Sequence, residues 1–93
     1  MISSTFLYLR HFIRLSTEIR VHAHRAYPMI VARDAVYGAE YVLFPELEKI
    51  FSQVDQLWNE IHELEEHDPA LISAMFDKLC DEDKILSFVV ERL

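Results

Sequence analysis

Apolar residues recur every three or four positions along most of this 93-residue chain, and this spacing is typical of amphipathic helices. The first repeat predicts a helix that begins at a cap on Ser3, Ser4 or Thr5 and ends near Tyr27. We expect its apolar stripe to face the core. The stripe consists of Tyr8, Leu9, Phe12, Leu15, Ser16, Ile19, Ala23, Ala26 and Tyr27.

The next stretch, from Pro28 to Phe44, is apolar on nearly every side when it is wound as a helix. Its only charged residues are Arg33, Asp34 and Glu40. Proline has no amide hydrogen and is costly inside a helix, so Pro28 predicts a kink or a corner. The stretch is shorter than the roughly 20 apolar residues of a membrane span. The pattern therefore predicts a central bundle helix, covered by its neighbours or by a second copy of the chain.

A third helix is predicted from Pro45 to His67, with Glu46 and Glu48 in a first turn that favours acidic side chains. Its apolar repeat covers about two and a half heptads, fewer than a coiled coil needs, so a bundle helix is the better interpretation. The stripe consists of Leu47, Ile50, Phe51, Val54, Leu57, Trp58, Ile61 and Leu64.

Two further helix starts are predicted near the carboxyl end of the sequence. Asp68 can cap a helix that Pro69 opens, with Leu71, Ile72, Met75, Phe76 and Leu79 as its stripe. Asp81 or Asp83 can then cap a last short helix that carries Ile85, Leu86, Val89, Val90 and Leu93. In the alternative, the helix continues and Asp83 points inward, where it would need a cationic partner. We favour the break.

These elements predict an all-α fold, a compact bundle of four or five helices with short connections marked by proline. A chain of 93 residues is expected to form a single helical domain over residues 1–93. Its hydrophobic fraction is 52%, above the usual level of about 45–50%. We expect this surplus of apolar residues to be buried by self-association, most simply in a homodimer.

The charges are divided unevenly along the sequence, although the net charge is −7. Residues 1–33 hold five arginines, no lysine and one acidic residue, whereas residues 34–93 hold 4 basic and 15 acidic residues. Arginine is enriched at protein interfaces and lysine is depleted there. We therefore expect a partner-binding face on the side of the first helix away from its core stripe. This face would consist of Leu7, Arg10, Arg14, Val21 and Arg25.

The same arginines support an alternative function. Arg10, Arg14 and Arg25 fall within about 60° of one another on a helix, and such a stripe can bind phosphates. A nucleic-acid-binding helical protein that uses the basic first helix is therefore one alternative. The negative net charge of the chain opposes it, because an acidic protein repels a polyanion at long range.

Five histidines raise the question of a metal site. His62 and His67 flank a glutamate-rich segment that resembles a zinc-protease motif, but three residues instead of two separate Glu63 from His67. The two histidines then diverge by about 140°. The segment instead predicts helical surface pairs of His62 with Glu66 and of Glu63 with His67. We expect no metal or cofactor, and a metal-dependent helical-bundle protein remains the second alternative.

Nucleophilic or nucleotide chemistry finds little support in the sequence. Cys80 lies beside an acidic run, which raises the pKa of a thiol. A single glycine excludes the glycine-rich fingerprints of phosphate-binding loops. One cysteine forms no internal disulfide, and Arg10 and Arg14 interrupt any apolar leader, so a cytoplasmic location away from membranes is expected.

Taken together, these features predict a small acidic protein-interaction module of the adaptor, inhibitor or immunity kind. It would act by binding a partner protein, without catalysis.

Overall fold

Four α-helices make up most of the chain that the structure describes. The computed structural model describes residues 4–37 and 44–93, with side chains from residue 6 onward. Its helices are α1 (Ser4–Tyr37), α2 (Pro45–Glu63), α3 (Pro69–Glu82) and α4 (Lys84–Val90), and a short 3-10 turn (Leu64–Glu66) follows α2. These ranges contain no strand, and the predicted all-α class is confirmed. The predicted cap on Ser3, Ser4 or Thr5 lies outside the described side chains.

Of the two alternatives predicted for Pro28, a kink or a corner, the corner is wrong. Helix α1 runs without a break from Ser4 to Tyr37 and contains Pro28 in its interior. Proline removes the hydrogen bond that its nitrogen would donate to the carbonyl of residue 24, one turn earlier. Pro28 lies on the exposed side of α1, where water can solvate that carbonyl. The lost hydrogen bond is therefore tolerated, and the chain does not turn.

The predicted central helix from Pro28 to Phe44 is also wrong. Residues 28–37 are the last turns of α1, and Ile30 is the one residue among them that is fully buried. Ile30 belongs to the core, whereas Val31 and Val36 are exposed. The apolar residues of this segment face two directions, and the described residues of a single chain cover one of them. Residues 38–43 lie outside the described part.

Helix α2 carries the best-defined buried stripe. Leu47, Ile50, Val54, Leu57 and Ile61 are buried, as predicted. Phe51 and Trp58 flank this stripe and are partly buried against the core. Helix α2 ends at Glu63 rather than His67, because the chain tightens into the 3-10 turn.

The 3-10 turn changes the predicted histidine pairs. His62 Nδ1 lies 3.0 Å from Glu65 Oε1, not near Glu66, because a 3-10 turn brings residues three apart into line. His67 does not pair with Glu63; its ring stacks on Tyr8 with 3.7 Å between the ring centroids. Both predicted pairs are therefore wrong, and the cause is the tighter turn after α2.

Both helix starts predicted near the carboxyl end are confirmed. Asp68 caps α3 by accepting a hydrogen bond from the backbone N–H of Leu71, and Pro69 is the first residue of that helix. Asp83 interrupts the chain between α3 and α4 and accepts from the N–H of Leu86. The side chain of Asp83 is buried as well. The favoured break is therefore confirmed, and the continuous helix of the alternative is wrong. The inward carboxylate that the alternative expected occurs at the break itself.

Helix α1 packs against the other elements along its whole length. The start of α1 lies near the segment that follows α2, where Tyr8 stacks on His67. The end of α1 lies near the start of α2, where Tyr37 meets Phe44. Helices α1 and α2 are therefore antiparallel. Helix α3 packs through Phe76, which is edge-on to Phe12 of α1. One side of α1 is thus buried, and the opposite side faces away from the bundle.

Candidate interaction surface

The side of α1 opposite the core is exposed along the helix, and we call it the outer face. It holds all five residues that the sequence predicts for partner binding. Leu7 and Val21 expose 50% and 56% of their surface. Arg10, Arg14 and Arg25 are exposed beside them. The structure thus brings these residues to one side of one helix, and their role in binding remains a prediction.

The outer face extends beyond the five predicted residues to further exposed apolar side chains. Ile13, Val31 and Val36 expose 60%, 45% and 73% of their surface. Ile13 could have been found from the helical period, because it lies off the core stripe of the first helix. The sequence predicts that Val31 and Val36 lie in a buried central helix, so only the packing of the chain reveals their exposure.

The outer face carries charges of both signs. The guanidinium of Arg14 donates a hydrogen bond to Nδ1 of His11 over 2.9 Å, which holds the side chain close to the helix. Glu18 lies next to this pair and is exposed. Neither Glu18 nor Arg25 has an ion-pair partner within the described residues. Both side chains can therefore meet an opposite charge from another molecule.

A buried carboxylate lies at the edge of the outer face. The side chain of Asp83 is 4% exposed, whereas those of Arg20 and His24 are 52% and 47% exposed. Arg20 Nε donates to Asp83 Oδ2 over 2.9 Å, and His24 Nε2 lies 2.9 Å from the same oxygen. Because Asp83 also caps α4, this cluster ties α1 to the junction of α3 and α4.

The environment of Asp83 favours its ionised form. Burial alone raises the pKa of this carboxyl. The N–H of Leu86 and the side chains of His24 and Arg20 stabilise the negative charge, and together they bring the pKa below its ordinary value. Asp83 is therefore a structural carboxylate that stays charged near neutral pH.

A shallow groove between α1 and α3 adjoins the outer face. Its one buried polar side chain, Ser16, donates its hydroxyl to the carbonyl of Phe12 over 2.7 Å. The remaining lining combines apolar side chains with charged ends at the rim. The groove is lined by Phe12, Ile13, Ser16, Thr17, Arg20, Met75, Lys78, Leu79 and Glu82.

The pKa of the Cys80 thiol is raised, as the acidic neighbours predict. Burial is the larger cause, and the negative charges of Asp77 and Asp81 add to it. We expect native Cys80 to react with iodoacetamide at pH 8 about tenfold more slowly than in the urea-unfolded chain, because the thiolate is the reactive species. Mass spectrometry of the labelled protein measures both rates, and equal rates would contradict this prediction.

The described residues hold no metal-ligand cluster and no membrane-spanning helix. No group of three or more histidine, cysteine, aspartate or glutamate side chains there is arranged to hold a metal ion. Among the helices of residues 4–37 and 44–93, none combines the length and the apolar character that crossing a membrane requires.

Comparison of the chain with protein-family models, with curated proteins and with solved structures gave no significant match in any of the three. The outer face itself is therefore the basis for assigning a function.

Proposed function

We propose that this protein is a small acidic interaction module, of the adaptor, inhibitor or immunity kind, which acts by binding another protein chain and not by catalysis. The outer face of α1 is the proposed binding surface. The observation that carries the proposal is the exposure of Leu7 and Val21 among Arg10, Arg14 and Arg25. Single exposed apolar residues are common, but a row of them on one helix face is typical of an interaction site.

The chemistry of the outer face favours protein over other ligands. The stems of arginine side chains pack on apolar surface, while each guanidinium can form two hydrogen bonds with a carboxylate. A protein surface supplies both apolar area and carboxylates. The net charge of −7 disfavours a polyanion such as nucleic acid. A cytoplasmic location belongs to the proposal, because a single cysteine forms no internal disulfide.

Charge reversal on the outer face tests the proposal. The immobilised protein is used to capture binding proteins from the organism that encodes it. Replacing both arginines, Arg14→Glu and Arg25→Glu, should reduce recovery of the captured protein at least about tenfold, because it places like charges opposite the partner's carboxylates. Circular dichroism should show unchanged helix content, since both side chains are exposed.

A matched control separates the effect of position from that of net charge. The pair Lys49→Glu and Lys84→Glu changes the net charge equally, but both lysines are exposed on other helices and neither lines the groove beside the outer face. This variant should capture as well as the wild type. Equal capture by the arginine variant would show that the outer face is not the binding surface. Capture of nucleic acid, with a steep dependence on salt, would favour the nucleic-acid alternative instead.

A further inference from the structure

Five exposed apolar residues of the outer face are arranged symmetrically along α1, whereas Phe6, which is exposed on the same side, has no symmetric counterpart. Val21 lies near the middle of the helix, Leu7 and Val36 lie near its two ends, and Ile13 and Val31 lie between. At about 100° per residue these five side chains fall within roughly 140° on the side opposite the core. The helix is about 50 Å long, close to the longest dimension of the molecule, 54 Å. The apolar strip therefore runs nearly the full length of the protein.

We propose that this strip binds a second copy of the same chain, with the two α1 helices antiparallel about a two-fold axis beside Val21. The inference rests on the proposed function, since it names the occupant of the same outer face. It is drawn from the apolar spacing, the side-chain sizes and the charges along α1.

The apolar residues match in this antiparallel arrangement. A two-fold axis between residues 21 and 22 places Leu7 of one copy at the same height as Val36 of the other. Ile13 then lies within about 2 Å, along the helix axis, of the height of Val31 of the other copy. Leu7 and Val36 lean toward one edge of the outer face, whereas Ile13 and Val31 lean toward the opposite edge. A two-fold axis perpendicular to both helices places the same edge of each copy's outer face side by side. Leu7 therefore meets Val36 at one edge, and Ile13 meets Val31 at the other.

Side-chain size matches as well. Arg10 and Arg14 are long and lie on the first half of the outer face, whereas Pro28, Ala32 and Ala35 are small, exposed and lie on its second half. The antiparallel arrangement places the arginine stems of each copy over the small residues of the other. Large residues therefore meet small ones at these positions, and the helices can approach closely there.

The charges select the antiparallel direction. Glu18 and Arg25 lie at equal distances on either side of the two-fold axis and lean toward the same edge. Each Glu18 therefore meets Arg25 of the other copy, and the dimer contains two such pairs. A parallel dimer would lack these pairs and would place Arg10, which lies at the centre of the outer face, next to Arg10 of the other copy. Like charges in contact are unfavourable, so the parallel arrangement is rejected.

The size of the strip suits a reversible dimer. A helix face about 50 Å long and 10–12 Å wide offers roughly 500–600 Å² on each copy. Two copies together approach the lower end of the range for specific protein interfaces, about 1,200 Å². We therefore expect association that depends on protein concentration, as for weak, transient complexes.

Disulfide cross-linking tests both the contact and its direction. All variants carry Cys80→Ser, so that each introduced cysteine is the one thiol of its chain. Under mild oxidation, Val21→Cys should form a covalent dimer, because the two copies meet there. An equimolar mixture of Leu7→Cys and Val36→Cys, with one chain tagged, should give the mixed dimer. Leu7→Cys alone should not cross-link, because its copies lie roughly 44 Å apart along the antiparallel pair.

Cysteine elsewhere on the surface controls for random collision. Ser52→Cys and Ser73→Cys are exposed on α2 and α3, and both should cross-link at least about tenfold more slowly than Val21→Cys, since collision alone brings them together. Cross-linking of Leu7→Cys alone at the rate of Val21→Cys would indicate a parallel pair and overturn the proposal. Control rates equal to that of Val21→Cys would also overturn it.

A charge exchange provides a second, independent readout. Glu18→Arg or Arg25→Glu alone should weaken dimerisation about tenfold, because each places two like-charge pairs in the interface. The double variant restores opposite charges and should return the dissociation constant, measured by sedimentation equilibrium, to near the wild-type value. A helix merely damaged by substitution would not recover in this way. Additive weakening in the double variant would contradict the antiparallel register.

Failure of this inference is distinguishable from failure of the proposed function. If the wild type stays at 11 kDa at high concentration while Arg14→Glu with Arg25→Glu abolishes capture of another protein, the second copy is rejected and the outer face remains a binding surface. If neither self-association nor capture responds to these substitutions, both proposals are wrong.

Discussion

Replacing Ile61 by alanine is expected to lower the free energy of unfolding by about 2–5 kcal/mol. The Ile61 side chain is fully buried on α2 and belongs to the single core cluster of the described helices. Its removal leaves a cavity that the neighbouring helices fill only in part, and the lost contacts add to the lost burial. Total stabilities of small proteins are about 5–15 kcal/mol, so this change is a large fraction of the whole.

Ile13→Ala is the matched control, because it makes the same chemical change on the outer face, where Ile13 is 60% exposed. We expect an effect within about 0.5 kcal/mol in dilute solution, as for surface substitutions in general. Urea unfolding at equal protein concentration measures both values, and an unchanged slope shows that the same surface is exposed on unfolding. Equal effects of the two substitutions would mean that the α2 stripe is not the core.

The second large effect is expected at Asp83. Asp83→Ala removes the cap of α4, worth about 0.5–2 kcal/mol, and the charge-assisted hydrogen bonds from Arg20 and His24. Those two side chains are about half exposed, so water compensates part of their loss. We expect a total decrease in the free energy of unfolding of about 1.5–3 kcal/mol.

Asp68→Ala separates the two contributions. Asp68 also caps a helix through its carboxylate, but no basic side chain pairs with it in the described residues. Its replacement should cost about 1 kcal/mol, the usual value of a cap. The excess at Asp83 then measures the contacts of the carboxylate with α1. Equal losses at the two positions would show that Arg20 and His24 contribute nothing.

The lowered pKa of Asp83 also gives stability a defined dependence on pH. The folded protein binds a proton at this carboxyl less tightly than the unfolded chain does. The stabilisation is therefore complete above the ordinary aspartate pKa, 3.8, and is lost as the pH falls through the lowered value. Asp83→Asn should flatten the pH dependence of the unfolding free energy in this acidic window. A parallel decline in wild type and variant would contradict the assignment.

The Asp83 cluster has a consequence for the outer face. Arg20 and His24 project from the edge of that face toward α4, where they hold the buried carboxylate. Helix α1 is therefore fixed along its middle as well as by its apolar stripe. A surface that is held rigid before binding loses less conformational entropy when a partner docks.

Much of the fold follows from local signals. The three-four spacing of apolar residues predicts the buried sides of α1 and α2, and the structure buries them. Asp68 followed by Pro69 predicts the start of α3, because helix capping depends on only a few neighbouring residues. These predictions succeed because each depends on interactions within one or two helical turns.

Only the tertiary structure decided the course of the chain at Pro28 and the partners of Asp83. Proline inside a helix costs about 3 kcal/mol. Burial of Ile30 together with the partly buried Tyr27 and Met29 offsets this cost, so packing keeps α1 continuous. Arg20 lies 63 positions from Asp83 in the sequence, and no periodicity pairs residues so far apart. The sequence alone thus determined which residues form helices and which sides are apolar. The tertiary structure decided which apolar sides a single chain covers, because coverage depends on every helix at once.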